Sequence, residues 1–404
     1  MSFSFPRIIK RIILLLFILI LYFNNETLSN NLCTFVDQPC MYVAIIEILF
    51  FLFCCLHYRL SINVGILLVT LFMCLTIIIV GLSDYQISNG YWLTIMNILL
   101  AASFSALLSM KDFSYYYVRF IFILAVASLI ITYPLSSVVR HLPLQHVYNS
   151  ANLGFYNVGI CYIVDNDSYV RNTGIFREAG VWGAFVFFAL MLLYNNPRLV
   201  REKMFYPIII VLTLTIISTF STSCLIALVL FFVANAIQSR KNSSRNILLA
   251  VVFVGVFLLI NRFSGGNDAI IGTINKIDSE SSSFLIRADA IKTSIPLAIE
   301  NPFGYGIVRG AEVLQQSSSV DVFHNTSTIV STIIYYGFLF FVCYLIGLFS
   351  FCKRSLGNIW LVIPLLFLIN AEQYIFNPII YLFLFYGFRK DCIEPSLVAV
   401  NPVD

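Results

Sequence analysis

The fold is decided by one apolar stretch, residues 205–237, which reads FYPIIIVLTLTIISTFSTSCLIALVLFFVANAI. As a single helix this 33-residue stretch would measure about 50 Å, whereas the hydrocarbon core of a bilayer is roughly 30 Å thick. Basic residues flank it on both sides, and short basic flanks stay on the cytoplasmic side of a membrane. These flanks are Arg198, Arg201 and Lys203 before the stretch and Arg240, Lys241 and Arg245 after it. The stretch is therefore predicted to cross twice, as a hairpin of two short helices that turns at Ser218–Ser223.

The composition of the whole chain indicates a polytopic membrane protein. Of its 404 residues, 60% are hydrophobic and only 11% are charged, and the mean hydropathy is +0.91. A soluble domain carries about 25% charged residues, so soluble, disordered and fibrous classes are excluded. The net charge of +4 gives no reason to expect a nucleic-acid partner.

Ten further apolar runs bring the prediction to twelve membrane spans in one all-α membrane domain, residues 1–404, with both termini in the cytoplasm. The first run follows a basic N-terminal segment and ends at Phe23; the others lie near 41–57, 62–82, 91–110, 116–135, 180–195, 247–261, 323–350, 357–373 and 376–388. The basic residues that lie outside the predicted cytoplasmic segments are all in two long loops, 136–179 and 262–322. Long loops cross a membrane largely regardless of charge, so these two are predicted to be periplasmic.

The first periplasmic loop ends in a charged motif that leads directly into a span, Arg171-Asn-Thr-Gly-Ile-Phe-Arg-Glu-Ala-Gly180. Arg171 and Arg177 are candidates to hold a phosphate, because guanidinium groups bind phosphate in a bidentate fork. Glu178 is a candidate to orient one Arg or to accept a proton. The alternative is that both Arg anchor the helix to lipid headgroups.

The second periplasmic loop supplies the remaining candidates. Residues 284–299 are predicted to form an amphipathic helix on the membrane surface, broken or kinked at Pro296, and Arg287 lies on it. A turn follows with Gly304 and Gly306. The loop closes with His324 and Asn325, and a histidine here is a candidate general base, although a single interface His also serves structural roles. Glu47, Asp84 and Glu372 are weaker candidates because each is an acid in or near a span.

Four segments of this sequence, taken together, resemble the O-antigen polymerase and O-antigen ligase superfamily of bacterial inner-membrane proteins. They are Arg171-x-x-Gly174-x-Phe176-x-Glu178, with Ala179 where the family usually has Pro; the Ser218–Ser223 turn, with Cys224 where members often have Arg; Arg287 followed by Asn301-Pro-Phe-Gly-Tyr-Gly306; and His324-Asn325 followed by Gly337. The resemblance spans roughly residues 160–350.

The resemblance implies a glycosyltransferase that acts on undecaprenyl-pyrophosphate-linked oligosaccharides in the inner membrane. Charge and resemblance together predict His324 and Glu178 as catalytic residues, and Arg171, Arg177, Arg287, Gly304, Gly306 and Asn325 as substrate-binding residues. His324 is predicted either to deprotonate the acceptor hydroxyl or to hydrogen-bond the pyrophosphate. Three arginines can bind a pyrophosphate without a metal, so no cofactor and no metal are predicted. The Phe-x-Glu after Gly174 favours a repeat-unit polymerase over a ligase that transfers glycan to the lipid A core. For a polymerase, the predicted partners include a chain-length regulator protein.

Two other classes compete with the enzyme. A transporter or flippase for polysaccharide precursors would place ionisable groups at the bilayer midplane and show internal repeats, but the sequence has no clear repeat and only Glu47 lies deep in a span. A non-enzymatic scaffold would not require three Arg and a His near the outer ends of two helices.

The hairpin can be tested by reporter fusions. A reporter fused near Ser221 is expected to read as periplasmic, whereas fusions at Lys203 and Lys241 are expected to read as cytoplasmic, because only a double crossing places both basic flanks on one side. A cytoplasmic signal at Ser221 would contradict the twelve-span topology.

Overall fold

The structure is a computed structural model that describes residues 7–23, 27–28, 39–58, 63–85, 88–148, 154–165, 171–238, 282–318 and 327–389. Fourteen α-helices form most of this part of the chain. They are α1 Arg7–Tyr22, α2 Pro39–Tyr58, α3 Val64–Ser83, α4 Asn89–Leu107, α5 Met110–Thr132, α6 Ser136–Arg140, α7 Ala179–Asn195, α8 Glu202–Ser218, α9 Thr222–Gln238, α10 Ser282–Glu300, α11 Ile307–Ser317, α12 Thr328–Ser350, α13 Val362–Ala371 and α14 Pro378–Phe388.

The helices confirm a polytopic membrane protein. Within the described ranges, α3, α4, α5 and α12 are long and apolar enough to cross a membrane by length and composition. Six shorter apolar helices accompany them, among them α7, α9 and α14. The count of twelve spans stays a prediction, and the predicted span 247–261 lies outside the described residues.

The predicted hairpin is present as α8 and α9, joined at Thr219–Ser221. Hydroxyl side chains close the end of α8 on itself: Ser218 Oγ donates to Thr215 O at 2.7 Å and Thr219 Oγ1 donates to Ile216 O at 2.7 Å. Phe220 then takes a φ of +47°, a left-handed conformation that is uncommon for a residue with a side chain. This reversal ends one helix and starts the next within three residues. We call this end of the bundle the turn end, and the opposite end the basic end.

Helix α7 forms the centre of the bundle. Every residue from Ala179 to Leu193 is buried, and a helix that is apolar on all sides requires neighbours on all sides. Helices α5, α8 and α9 pack around it. Helix α14 is likewise buried from Pro378 to Gly387. The motif that precedes α7 is therefore attached to the buried centre of the bundle.

The first long loop adds a small sheet that the all-α prediction did not include. Three short antiparallel strands, β1 His146–Tyr148, β2 Gly154–Asn157 and β3 Tyr162–Val164, pair in the order β1-β2-β3. Phe155 and Val164 face each other across β2 and β3 and are buried. The amide of Tyr162 donates to Gly174 O at 2.8 Å, which connects the sheet to the charged motif.

The predicted tenth span is a broken helix. Gly337 has φ 87° and ψ 172° inside α12, and this break frees carbonyls in the preceding turn. The amides of Tyr305 and Gly306 donate to Ile334 O at 2.8 Å and to Tyr335 O at 3.1 Å. On the other side of the break, the amide of Phe338 donates to Pro302 O at 2.7 Å. The 301–306 turn thus replaces the missing helical hydrogen bonds.

The helix predicted at 284–299, broken or kinked at Pro296, is α10. One helix continues through this proline to Glu300, so the helix is not broken there, and a kink stays a prediction. The lost proline N–H costs a helix one hydrogen bond. Helix α10 packs against α12, and this packing holds the helix together through the proline. Whether α10 lies on the membrane surface stays a prediction.

Substitution of Gly337 by Ala is expected to destabilise the protein. An added Cβ would lie 2.4 Å from Phe303 C and 2.5 Å from Pro302 O, and both atoms belong to the backbone. Overpacking and strain at this φ and ψ each cost about 1–3 kcal/mol. The measurement is the apparent Tm of the solubilised protein, followed by size-exclusion chromatography after heating.

Gly357→Ala is the matched control, because Gly357 also has a positive φ, +68°, but has no atom within 4 Å of an added Cβ. It is expected to lose less stability than Gly337→Ala. Equal losses in the two variants would contradict the close packing at the break in α12.

Candidate active site

Arg171 is bound to the turn of the hairpin. Its Nε donates to Thr219 O at 2.8 Å and its Nη2 donates to Phe220 O at 3.1 Å. These carbonyls belong to the left-handed reversal after α8, where regular helical partners are missing. Two hydrogen bonds from one planar group fix the orientation of the guanidinium, which remains half-buried. The charge that the sequence predicts for phosphate binding is therefore held at the turn end.

Asn172 is a residue whose importance the sequence did not reveal. Its side chain is fully buried, and its Nδ2 donates to Ser128 Oγ and Ser218 Oγ, each at 3.1 Å. Its Oδ1 accepts the amide of Gly174 at 3.1 Å. Asn172 therefore joins α5, the hairpin and the motif. A lone Asn between Arg171 and Thr173 gives no sequence signal for this role.

Gly174 and Phe176 have packing roles. Gly174 has a φ of +53°, and an added Cβ would lie 2.6 Å from the Trp182 ring. Phe176 stacks on Trp182 with ring centroids 5.7 Å apart, and its backbone pairs with Thr27. These contacts fix the path of the chain between Arg171 and α7.

Arg177 and Glu178 pair with each other at the start of α7. Arg177 Nη1 lies 2.9 Å from Glu178 Oε1, with side chains 26% and 43% exposed. Glu178 is the residue before the first turn of α7, where a negative charge is favourable. Glu178 therefore contacts Arg177 directly, and its role in orienting an Arg or accepting a proton stays a prediction.

Glu372 is the acid that the structure brings to the motif. Only 8% of Glu372 is exposed. A Cβ added at Gly180 would meet its Oε1 at 2.5 Å and Ser221 Oγ at 3.4 Å, so the carboxylate lies against both the start of α7 and the hairpin. Glu372 is the residue that follows α13, and its carbonyl accepts a hydrogen bond from Thr328 Oγ1 at 2.6 Å. Glu372 was a weaker candidate in the sequence, because a position near the end of a span does not show which residues the side chain contacts.

Cys224 occupies a place that only a small side chain fits. It is fully buried, and its Sγ lies 3.3 Å from Gly180 O. An added Cβ at Gly183 would lie 2.6 Å from the same sulfur. The close packing of α9 on α7 therefore leaves room only for a small side chain at this position.

Gly304 and Gly306 line the break in α12. A Cβ at Gly304 would lie 2.6 Å from Gly337 N, and a Cβ at Gly306 would lie 2.6 Å from Asp84 Oδ2. Their φ values of +87° and +91° lie in the region that favours glycine. The contacts seen for both glycines are with the chain itself.

Asp84 caps α11 from a distant part of the sequence. Its Oδ2 accepts the amide of Val308 at 3.1 Å and the hydroxyl of Tyr91 at 2.6 Å. The Tyr91 hydroxyl in turn accepts the amide of Ile307 at 2.6 Å. One carboxylate and one phenol thus satisfy the first free amides of the helix.

The loop after α3 has a second contact with α11. A hydrogen bond to the Glu312 carboxylate raises the pKa of the Tyr85 hydroxyl to about 12. The hydrogen bonds of Asp84 and Tyr91 hold the start of α11 against the bundle.

The structure does not describe the side chains of three predicted site residues. Arg287 lies in the first half of α10, and His324 and Asn325 lie outside the described residues. The described chain resumes at Ser327, whose Oγ donates to Asn370 Oδ1 at 2.5 Å. Thr328 then bonds to Glu372 O. The start of α12 therefore lies beside Glu372.

The described residues include no group of three or more His, Cys, Asp or Glu that could hold a metal ion. One Asp-x-Asp spacing occurs in the sequence, Asp165-Asn-Asp167. Asp165 lies at the edge of the sheet, with its Oδ2 3.4 Å from His146 Nδ1. A hydrogen bond to this carboxylate raises the pKa of the Tyr156 hydroxyl. Asp165 therefore contacts His146 and Tyr156 of the sheet.

Comparison with known proteins identifies the family of one part of the chain. Residues 207–345 match a family model described as O-antigen ligase, which confirms the resemblance to the O-antigen polymerase and ligase superfamily. The matched part contains Arg287, Gly304, Gly306, His324 and Asn325, and it begins after the Arg171 motif. No curated protein and no solved structure matches the chain.

The matched family is a family of membrane enzymes, and the match covers residues 207–345 of this chain. Its members are glycosyltransferase-like membrane enzymes of polysaccharide and lipopolysaccharide biosynthesis, and lipid-linked oligosaccharides are their substrates. The match supports ligase-type and polymerase-type activity in general.

Arg171→Ala is expected to destabilise the protein more than removal of another cation at the turn end. Hydrogen bonds to a charged group contribute about 1.5–3 kcal/mol each, and Arg171 makes two to the turn. Arg309→Ala is the control, because Arg309 is exposed and only approaches the Tyr305 ring, at 5.8 Å. Apparent Tm values of the purified variants make the comparison, and equal values would contradict the role of Arg171 in the turn.

Proposed function

We propose that the protein polymerises undecaprenyl-pyrophosphate-linked oligosaccharide repeat units into a surface polysaccharide, on the periplasmic face of a bacterial inner membrane. One observation carries the proposal: the charged motif at Arg171, the hairpin turn, Glu372 and the start of α12 meet at one end of the bundle. The family match covers the loop that leads into α12. Both termini are cytoplasmic in this proposal, since the turn end is periplasmic.

Arg171, Arg177 and Arg287 bind the pyrophosphate of the donor. The leaving group carries negative charge, and preorganised cations stabilise such charge in the transition state without reorganising. The hydrogen bonds of Arg171 to the hairpin and the contact of Arg177 with Glu178 supply that preorganisation. Three guanidinium groups make a metal unnecessary for this step.

His324 activates the acceptor. The acceptor hydroxyl oxygen attacks the anomeric carbon of the donor sugar, its proton moves to His324, and the bond from that carbon to the pyrophosphate oxygen breaks. Attack from the opposite face inverts the anomeric carbon. Asn325 contacts the substrate, and Glu372 supplies a carboxylate at the start of α12, where the chain that follows Asn325 becomes helical.

A ligase is the second candidate, because the matched family model is described as O-antigen ligase. The two activities differ in the acceptor: a lipid-linked repeat unit for the polymerase and lipid A core for the ligase. The Phe176-x-Glu178 part of the motif supports the polymerase by resemblance. The polymerase proposal also includes a chain-length regulator protein as a partner.

Deletion of the gene, followed by gel electrophoresis of surface glycan, separates the two candidates. Loss of a polymerase leaves core with one repeat unit attached. Loss of a ligase leaves core without glycan, while lipid-linked polymer accumulates. A deletion strain with an unchanged glycan pattern would contradict both activities.

Site variants returned to the deletion strain test the chemistry. His324→Ala is expected to lower turnover of lipid-linked repeat unit by about 10²–10⁴-fold, the usual contribution of a positioned base, while substrate binding persists. Arg287→Ala is expected to abolish polymer, and Arg287→Lys to restore only part of it, because an ammonium lacks the bidentate fork.

Arg309→Ala is the matched control for these variants and is expected to keep polymer at the wild-type level. All variants are compared at equal protein level in the membrane. Turnover by His324→Ala within about threefold of wild type, far short of the expected factor, would remove His324 from the mechanism.

A further inference from the structure

A cavity of about 390 Å³ lies at the basic end of the bundle, on the side away from the candidate active site. It lies between α5 and the start of α8, and its lining includes Arg119, Ile123, Arg201, Met204 and Ile208. The opposite ends of both helices contact the turn end, since α8 finishes at Ser218 and Tyr133, the residue after α5, donates to Ser218 O. The proposed glycosyl transfer uses none of these cavity residues.

Two cations line this cavity without a carboxylate partner. Within the described part of the chain neither Arg119 nor Arg201 forms an ion pair, and both are exposed. Arg119 is held in place by the Tyr115 ring, with its Cζ 4.1 Å from the ring centroid. Arg201 immediately precedes α8, so the positive end of the helix dipole adds to its charge. Two uncompensated positive charges at one cavity favour an anion.

The rest of the cavity is apolar and opens toward lipid. Ile123 is 64% exposed and Met204 is 43% exposed. Ile123 lies one turn beyond Arg119 on α5, and Ile130, which is 47% exposed, lies two turns further along the same face. A stripe of exposed apolar side chains therefore runs along α5 from Arg119 toward the turn end of the bundle. Two cations at one end and apolar side chains along the rest are complementary to a phospholipid, which has an anionic head and an apolar chain.

We propose that this cavity binds an anionic phospholipid, with its phosphate at Arg119 and Arg201 and an acyl chain along Ile123 and Ile130. Basic pockets between membrane helices at the cytoplasmic side are suited to anionic headgroups. A zwitterionic headgroup fits less well, because its own ammonium is repelled by the two arginines. The site is separate from the periplasmic chemistry and does not depend on it.

Native mass spectrometry of the purified full-length protein tests the site. The protein is titrated with phosphatidylglycerol, with phosphatidylcholine, or with phosphatidylglycerol in the presence of sodium phosphate. Phosphatidylglycerol is expected to bind more tightly than phosphatidylcholine. Each arginine contributes about fivefold in affinity, so Arg119→Gln/Arg201→Gln is expected to lose about 25-fold. Lys203→Gln, which removes a neighbouring exposed charge outside the cavity, is expected to remain within twofold.

A second variant tests the cavity without changing its charge. Met204→Trp places a bulky ring in the cavity and is expected to lower phosphatidylglycerol binding as well. Equal losses in Lys203→Gln and the double variant would show a general surface charge and overturn the site. Undiminished binding by Met204→Trp would place the lipid outside the cavity, and displacement of phosphatidylglycerol by phosphate at matched concentration would show a free-phosphate site; each result overturns the proposal.

Discussion

Arg171 donates two hydrogen bonds to carbonyls of a turn that lies between two apolar helices, and much of the structure follows from the need for such bonds. Thr219, Phe220 and Ser221 are buried by the surrounding protein, and a buried backbone group without a partner costs about 1–3 kcal/mol. The hairpin reverses at Thr219–Ser221, so its free carbonyls need donors from elsewhere in the chain. A guanidinium supplies them and brings a positive charge to the place where the charged motif meets α7.

The same constraint explains the break in α12. Gly337 interrupts the helix, and the freed carbonyls accept the amides of Tyr305 and Gly306. The second long loop is thereby hydrogen-bonded to the bundle as a strand is to its neighbour, through backbone atoms. Both long loops are thus positioned by the irregular segments of membrane helices, and irregular backbone of this kind is tolerated where protein buries it.

The sequence predicted the elements that depend on local composition and charge. The hairpin followed from two basic flanks around one long apolar stretch, and α10 followed from its periodicity. It did not predict partners that only tertiary structure brings together, such as Glu372 beside Gly180 or Asn172 between α5 and the hairpin. It also did not predict the small sheet, because strands of three or four residues leave no periodic signal. The break in α12 escaped prediction because a single Gly in an apolar run is compatible with a continuous helix.

The cap of α11 by Asp84 makes a short loop and a long loop interdependent. The carboxylate that satisfies the amides of α11 lies more than two hundred residues earlier in the chain. An exchange of the 301–318 segment between two proteins would therefore transfer α11 without its cap, because Asp84 stays behind in the donor protein. For chimeras of this protein, the smallest transferable unit is therefore not the loop alone but the loop together with the end of α3 and the start of α4.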